Sequence, residues 1–130
     1  MQQFKILLID DDELFIFLTR QTFLKSNLIQ SIDAVTNELE AIAYLEDKKH
    51  NPSDFPDIIL IDFHLQEVDG LTIAHYFQQH LRDQFPHSRI FMLTCSRDKQ
   101  RISQALKVPA VEKVLQKPLS ADMLENVLIS

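Results

Sequence analysis

The sequence predicts an α/β domain of (βα)5 type, a doubly wound five-stranded parallel sheet, and three observations lead there. Short apolar or β-branched runs alternate with helically spaced apolar residues along the whole chain. A single glycine among 130 residues, where average usage would give roughly nine, argues against turn-dense sandwiches and barrels and against collagen. An apolar content of 45% with 25% charged residues supplies an ordinary core for one domain of common size.

Residues 4–9, 31–35, 58–61, 89–93 and 111–115 read as the five buried strands. Between them, Leu14, Phe17, Leu18, Leu24 and Leu28 follow the helical spacing, as do Leu39, Ile42 and Leu45, then Leu71, Ala74, Phe77 and Leu81. Ile102, Ala105 and Leu106 make the fourth stripe, and Leu124, Val127 and Leu128 the fifth. Asp12, Asn37 and Ser120 each stand where a side-chain oxygen can cap the helix that follows. Right-handed crossovers then return every strand parallel to the last. Residues 48–56 hold two of the five prolines and read as a connection. The expectation is one domain over residues 1–130, with no repeat and no attached output domain.

The net charge of −6 opposes direct nucleic-acid binding, but it is uneven. Residues 1–81 carry 14 acidic and 5 basic side chains, and residues 82–118 carry 3 and 8. No aromatic lies among Arg97, Lys99, Arg101, Lys107 and Lys113 to stack on bases, so this segment reads as a solvated face, with a partner-binding face as the sharper alternative. The longest apolar run, residues 14–18, is far short of the roughly 20 residues that span a bilayer, so no membrane insertion is expected. The apolar residues 6–9 run straight into Asp10, Asp11 and Asp12, unlike a secretory signal, and one thiol, Cys95, allows no internal disulfide. A cytoplasmic location is the expectation.

In open parallel sheets, ligands bind outside the carboxyl ends of the strands. The first strand here ends in Asp10, Asp11 and Asp12, the third in Asp62, the fourth in Thr94 and the fifth in Lys117. Converging carboxylates repel unless a cation joins them, and an all-oxygen set suits Mg²⁺. One carboxylate would remain to act as a nucleophile toward phosphorus, with Lys117 and Thr94 meeting the phosphoryl oxygens. Each residue has a duller reading: Asp12 as a helix cap, Thr94 as a β-branched strand residue, Lys117 before Pro118 as a strand end. Their joint occurrence at successive strand ends is what capping alone does not predict.

The segments ILLIDDDE at 6–13, IILIDFHLQEVDGL at 58–71, FMLTCS at 91–96 and VLQKPL at 114–119 resemble the four signature segments of the response-regulator receiver domain of two-component signalling, in order and over essentially the whole chain. The resemblance implies a flavodoxin-like sheet with strand order 2-1-3-4-5. It makes Asp62 the phosphoacceptor, Asp11 a direct Mg²⁺ ligand, Asp10 a ligand through water, and the backbone carbonyl of His64 a further ligand. Thr94 and Lys117 take the switch and phosphate-neutralising positions, and the Lys117–Pro118 peptide is expected to be cis. A sensor histidine kinase or histidine phosphotransfer protein is the implied donor, docking at the start of the first helix beside Phe15 and Ile16. The 97–115 face corresponds to the surface receivers use for homodimerisation or for a downstream protein partner.

Departures from that pattern are visible. Gln66 stands where the loop after the acceptor usually has proline, and Val114 where many receivers carry an aromatic that swings with Thr94. His64 and Ser96 flank the site where receivers tune dephosphorylation, and Cys95 reads as a packing residue. Two alternatives are a receiver-like adaptor working without phosphorylation and a haloacid-dehalogenase-type phosphatase with Asp10 as nucleophile and Asp12 as acid. The second leaves Asp62 without a role and meets Leu14 where that family favours threonine or valine.

Overall fold

The computed structural model describes residues 2–66 and 68–129. Strands β1 (Phe4–Ile9), β2 (Ile29–Val35), β3 (Ile58–Asp62), β4 (Arg89–Thr94) and β5 (Val111–Gln116) form one parallel sheet in the order β2-β1-β3-β4-β5. Helices α1 (Glu13–Phe23), α2 (Glu38–Lys48), α3 (Leu71–His80), α4 (Lys99–Leu106) and α5 (Ala121–Ile129) follow the strands in turn. The strand order is the one the resemblance implies, and the Lys117–Pro118 peptide is cis.

Period-two alternation splits the core. Leu7 and Ile9, Ile59 and Ile61, and Ile90 and Met92 face the layer built by α2, α3 and α4, where Ala41, Leu45, Ile73, Ala74, Phe77 and Ala105 meet them. Ile6 and Leu8, Ile58 and Leu60, and Phe91 and Leu93 face α1 and α5 through Phe23, Leu124, Val127 and Leu128. The central strands are therefore apolar on both faces, which is why they read as unbroken hydrophobic runs.

The strands differ from the expected bounds in an instructive way. Asp62, Thr94 and Gln116 remain in the ladder, paired as Asp62 with Leu93 and Thr94 with Gln116, so polar side chains are the last rungs of β3, β4 and β5. Strand β2 begins two residues early, where Gln30 and Ser31 break the apolar pattern on an edge strand. The 48–56 connection contains a short 3-10 turn, Pro52–Asp54.

Helix α1 corrects the expected stripe. Leu14, Phe17, Leu18 and Leu24 are each more than half exposed, whereas Thr19 and Phe23 are buried and Phe15 and Ile16 pack against the core. Both stripes obey helical spacing, and Thr19 in the buried one disguised it. Leu39 and Leu106 likewise point outward, leaving Ala41 with Leu45 and Ala105 as the buried anchors of α2 and α4. Asp12, Asn37 and Ser120 cap α1, α2 and α5 as expected, and Asp98 caps α4.

With one glycine the chain closes its corners by other means. No φ is positive among the described residues. The Arg82 guanidinium donates to the carbonyls of Phe85, Pro86, Ser88 and Ala110 at 2.8–3.3 Å, satisfying the turn between α3 and β4. Arg89 donates to the carbonyls of Val127 and Leu128 in the last turn of α5. Gly70 itself has φ −55°, within reach of any residue. Its requirement is space, since a Cβ there would lie 1.9 Å from the backbone oxygen of Asp62.

Phe23→Ala should lower the unfolding free energy by ~3–5 kcal/mol, while Phe17→Ala, on the outward stripe, should change it by less than about 0.5, as read by urea denaturation. Gly70→Ala should cost at least ~1–3 kcal/mol by overpacking, against the small gain usual for this substitution at an unhindered helical position.

Candidate functional site

The polar strand ends converge at one edge of the sheet. Asp10, fully buried just beyond β1, is fixed by its N–H bond to the Val35 carbonyl, and Asp62 closes β3 almost without exposure. Together with Asp11 they bring carboxylate oxygens within 4.8 Å of one another. Asp11 lines a cleft of about 490 Å³ together with Glu13, Thr36, Asn37, Leu65 and Gln66. Such an all-oxygen, acidic donor set fits a hard divalent cation, Mg²⁺ or Ca²⁺.

Lys117 joins the cluster. Its backbone N–H is held by the Thr94 carbonyl at 2.8 Å, and its ammonium donates to Asp10 Oδ2 at 2.6 Å and Asp62 Oδ2 at 3.2 Å. The remaining carboxylate oxygens are also met: Asp10 Oδ1 accepts from the Asp12 N–H at 2.9 Å, and Asp62 Oδ1 from the His64 N–H at 3.1 Å. Burial pushes the Asp10 pKa up, and the Lys117 hydrogen bond offsets only part of that rise. For Lys117, burial works toward a lower pKa but is outweighed by the Asp10 hydrogen bond and the charges of Asp10 and Asp62, so the ammonium is held above its ordinary value. The Phe15 ring lies 4.2 Å from Lys117 Nζ and covers this charge.

The other expected residues take distinct places. Thr94 is buried, its hydroxyl bonded to the backbone of Ser96, whose N–H donates to it at 3.0 Å. His64, Ser96 and Gln66 are exposed around the site. Val114 is half-buried and packs into the core layer of α2, α3 and α4. Phe15 and Ile16 pack under α1, and the exposed apolar positions beside them are Leu14, Phe17 and Leu18. Cys95, expected to pack inward, is exposed, because β4 ends at Thr94 and the chain turns outward there. Asp12 Oδ1 accepts from the Leu14 and Phe15 N–H groups, so this carboxylate caps α1.

Two further residues contribute. Gly70, the lone glycine, follows Asp69 where the loop after Asp62 enters α3, and it abuts the Asp62 carbonyl. Arg101 reaches from α4 to Asp69 and stacks over Phe63, and nothing distinguished it from its basic neighbours in the sequence.

Comparison with known proteins agrees with this geometry. A crystal structure of a two-component response regulator from Cytophaga hutchinsonii is 27% identical and superposes with a TM-score of 0.90 over 99% of this chain and 96% of its own. A response regulator protein from Burkholderia pseudomallei, solved with a phosphorylated aspartic acid, a calcium ion and citrate, is 25% identical, with a TM-score of 0.77 over 97% of this chain and 66% of that one. The transcriptional regulatory protein YhcZ of Bacillus subtilis is 28% identical over 106 residues, 82% of this chain and 45% of YhcZ. The chain spans less than half the length of the curated relatives it matches. The family model of the response regulator receiver domain matches residues 6–129. That span takes in all five helices and all but the first two residues of β1, and so the chain belongs to the receiver domain family of two-component response regulators.

Proposed function

We propose that Asp62 accepts a phosphoryl group from a phosphohistidine donor. The observation that carries this is the unequal pair of lysine contacts, 2.6 Å to Asp10 and 3.2 Å to Asp62. The shorter contact anchors the ammonium. The longer one is the contact that an incoming phosphoryl oxygen can take over, so the acceptor carboxylate is positioned by the lysine and released by it at the moment of attack. An Asp62 carboxylate oxygen forms the bond to phosphorus as the P–N bond breaks, and the leaving imidazole nitrogen keeps the electron pair. Lys117 and the Thr94 hydroxyl then meet phosphoryl oxygens, the hydroxyl by turning from Ser96.

Asp10, Asp11, Asp62 and the His64 carbonyl are the groups that would hold Mg²⁺, which when bound supplies neutralising charge for the phosphoryl oxygens. His64 and Ser96, exposed at the rim, govern water access and with it the lifetime of the acyl phosphate. A sensor histidine kinase or histidine phosphotransfer protein is the donor, engaging the start of α1, where Phe15 and Ile16 form the packed base and Leu14, Phe17 and Leu18 the outward apolar surface. Added negative charge at Asp62 shifts the population of conformations at the 97–115 face, which binds the downstream protein partner or a second copy of the chain.

Incubation with acetyl phosphate and Mg²⁺ should add the mass of one phosphoryl group, mapped to Asp62, and the label should vanish in Asp62→Asn or with a chelator. A label that survives Asp62→Asn would overturn the assignment. Lys117→Ala should slow labelling roughly 10²-fold, the effect of removing one donor from a developing charge, while Mg²⁺ binding followed by titration persists.

A further inference from the structure

Among the five basic residues between 97 and 113, Arg97, Lys99, Lys107 and Lys113 are exposed, as a solvated face requires. Arg101 is the exception. It stands in the first turn of α4, yet its Nη2 donates to Asp69 Oδ2 at 2.8 Å and its guanidinium carbon lies 5.0 Å from the centroid of the Phe63 ring. Its Nε is shut off from solvent without a hydrogen-bond acceptor. An arginine on a free surface would keep that donor wet. Here it gives up the bond in exchange for stacking and the ion pair, so its position is fixed by both contacts together.

The two residues it touches bound the segment that follows the acceptor. Phe63 comes directly after Asp62, with its N–H on the Leu93 carbonyl, and its own carbonyl accepts from the Gly70 N–H. Asp69 is bridged antiparallel to His64, and its Oδ1 accepts from the Leu71 N–H at the start of α3. The Phe63–Gly70 and His64–Asp69 pairs thus close a small hairpin, and one guanidinium grips both of its ends. In helix α4, which packs along β5, Ala105 is the one fully buried residue. An element with so little burial sits at the low-stability end of a fold, where small local forces decide its position.

We propose that Arg101 is a clasp tying α4 to the hairpin after Asp62, so that displacement of Phe63 and Asp69 on a change at Asp62 is carried to α4. The link to phosphorylation rests on the acceptor role of Asp62; the tie between α4 and the hairpin does not.

Hydrogen exchange on the full chain separates the two. In the free protein, Arg101→Ala and Asp69→Asn should each accelerate exchange about tenfold or more in both residues 63–70 and residues 99–106, and the double variant should do no more than Arg101→Ala alone, because that variant already lacks both the ion pair and the stack. Arg101→Gln, which keeps the aliphatic stem, serves if the alanine variant folds poorly, with the same acceleration expected. Acceleration confined to 99–106, with the hairpin within about twofold of wild type, overturns the clasp. With Mg²⁺ and beryllofluoride, the wild type should change in both segments, whereas Arg101→Ala should keep the hairpin response and lose at least about half of that in α4. An undiminished α4 response in the variant also overturns the proposal. If beryllofluoride alters neither segment of the wild type, the acceptor role fails and the free-protein comparison alone decides the clasp.

Discussion

The site depends on one positive charge placed between two buried negative ones. Two like unit charges about 4 Å apart repel by about 4 kcal/mol at an effective dielectric constant near 20, which is a large part of the 5–15 kcal/mol that holds a domain together. Asp10 and Asp62 are both buried, and the Lys117 ammonium lies against each of them. The lysine is in turn fixed at its backbone by the Thr94 carbonyl and covered by the Phe15 ring. Strands β1, β3, β4 and β5 are thereby joined at their carboxyl ends by a polar contact set, whereas their middles are joined by aliphatic packing. The polar set can exchange partners without disturbing the apolar one, and that separation lets a rigid sheet carry a reactive edge.

Much of this was legible in the sequence because its physical cause is local. Alternating strand runs and helical stripes define (βα)5, and Asp10, Asp11, Asp62, Thr94 and Lys117 stand at or just past the ends of those strand runs. The misreadings share a cause. On α1, two stripes satisfy the same spacing, and the choice between them is made by the sheet beneath, to which Phe23 and Thr19 turn. Cys95 reads as a packing residue, yet its exposure follows from where β4 releases the chain. Arg101 was invisible among its neighbours because its partners, Phe63 and Asp69, are distant in sequence and near only in space.

The scarcity of glycine has a counterpart in the arginines. Loops usually close with backbone conformations that glycine permits. This chain instead directs guanidinium groups at carbonyl clusters, Arg82 at the turn before β4 and Arg89 at the end of α5. Each arginine also lies over an aromatic ring, Phe77 and Phe91 respectively. The basic excess after residue 81 is thus partly internal wiring, and a count of surface charge overstates what a partner would meet.

The contact between Gly70 and the Asp62 carbonyl differs in kind from the ion pair between Asp69 and Arg101. A van der Waals wall is steep in compression and offers almost nothing in tension, whereas a charge-assisted hydrogen bond resists being drawn apart. Neighbouring residues therefore give the loop one coupling that transmits a push and another that transmits a pull. Advance of the Asp62 backbone presses on the first turn of α3, and its retreat draws on α4. Such a loop can report the direction of a displacement as well as its occurrence.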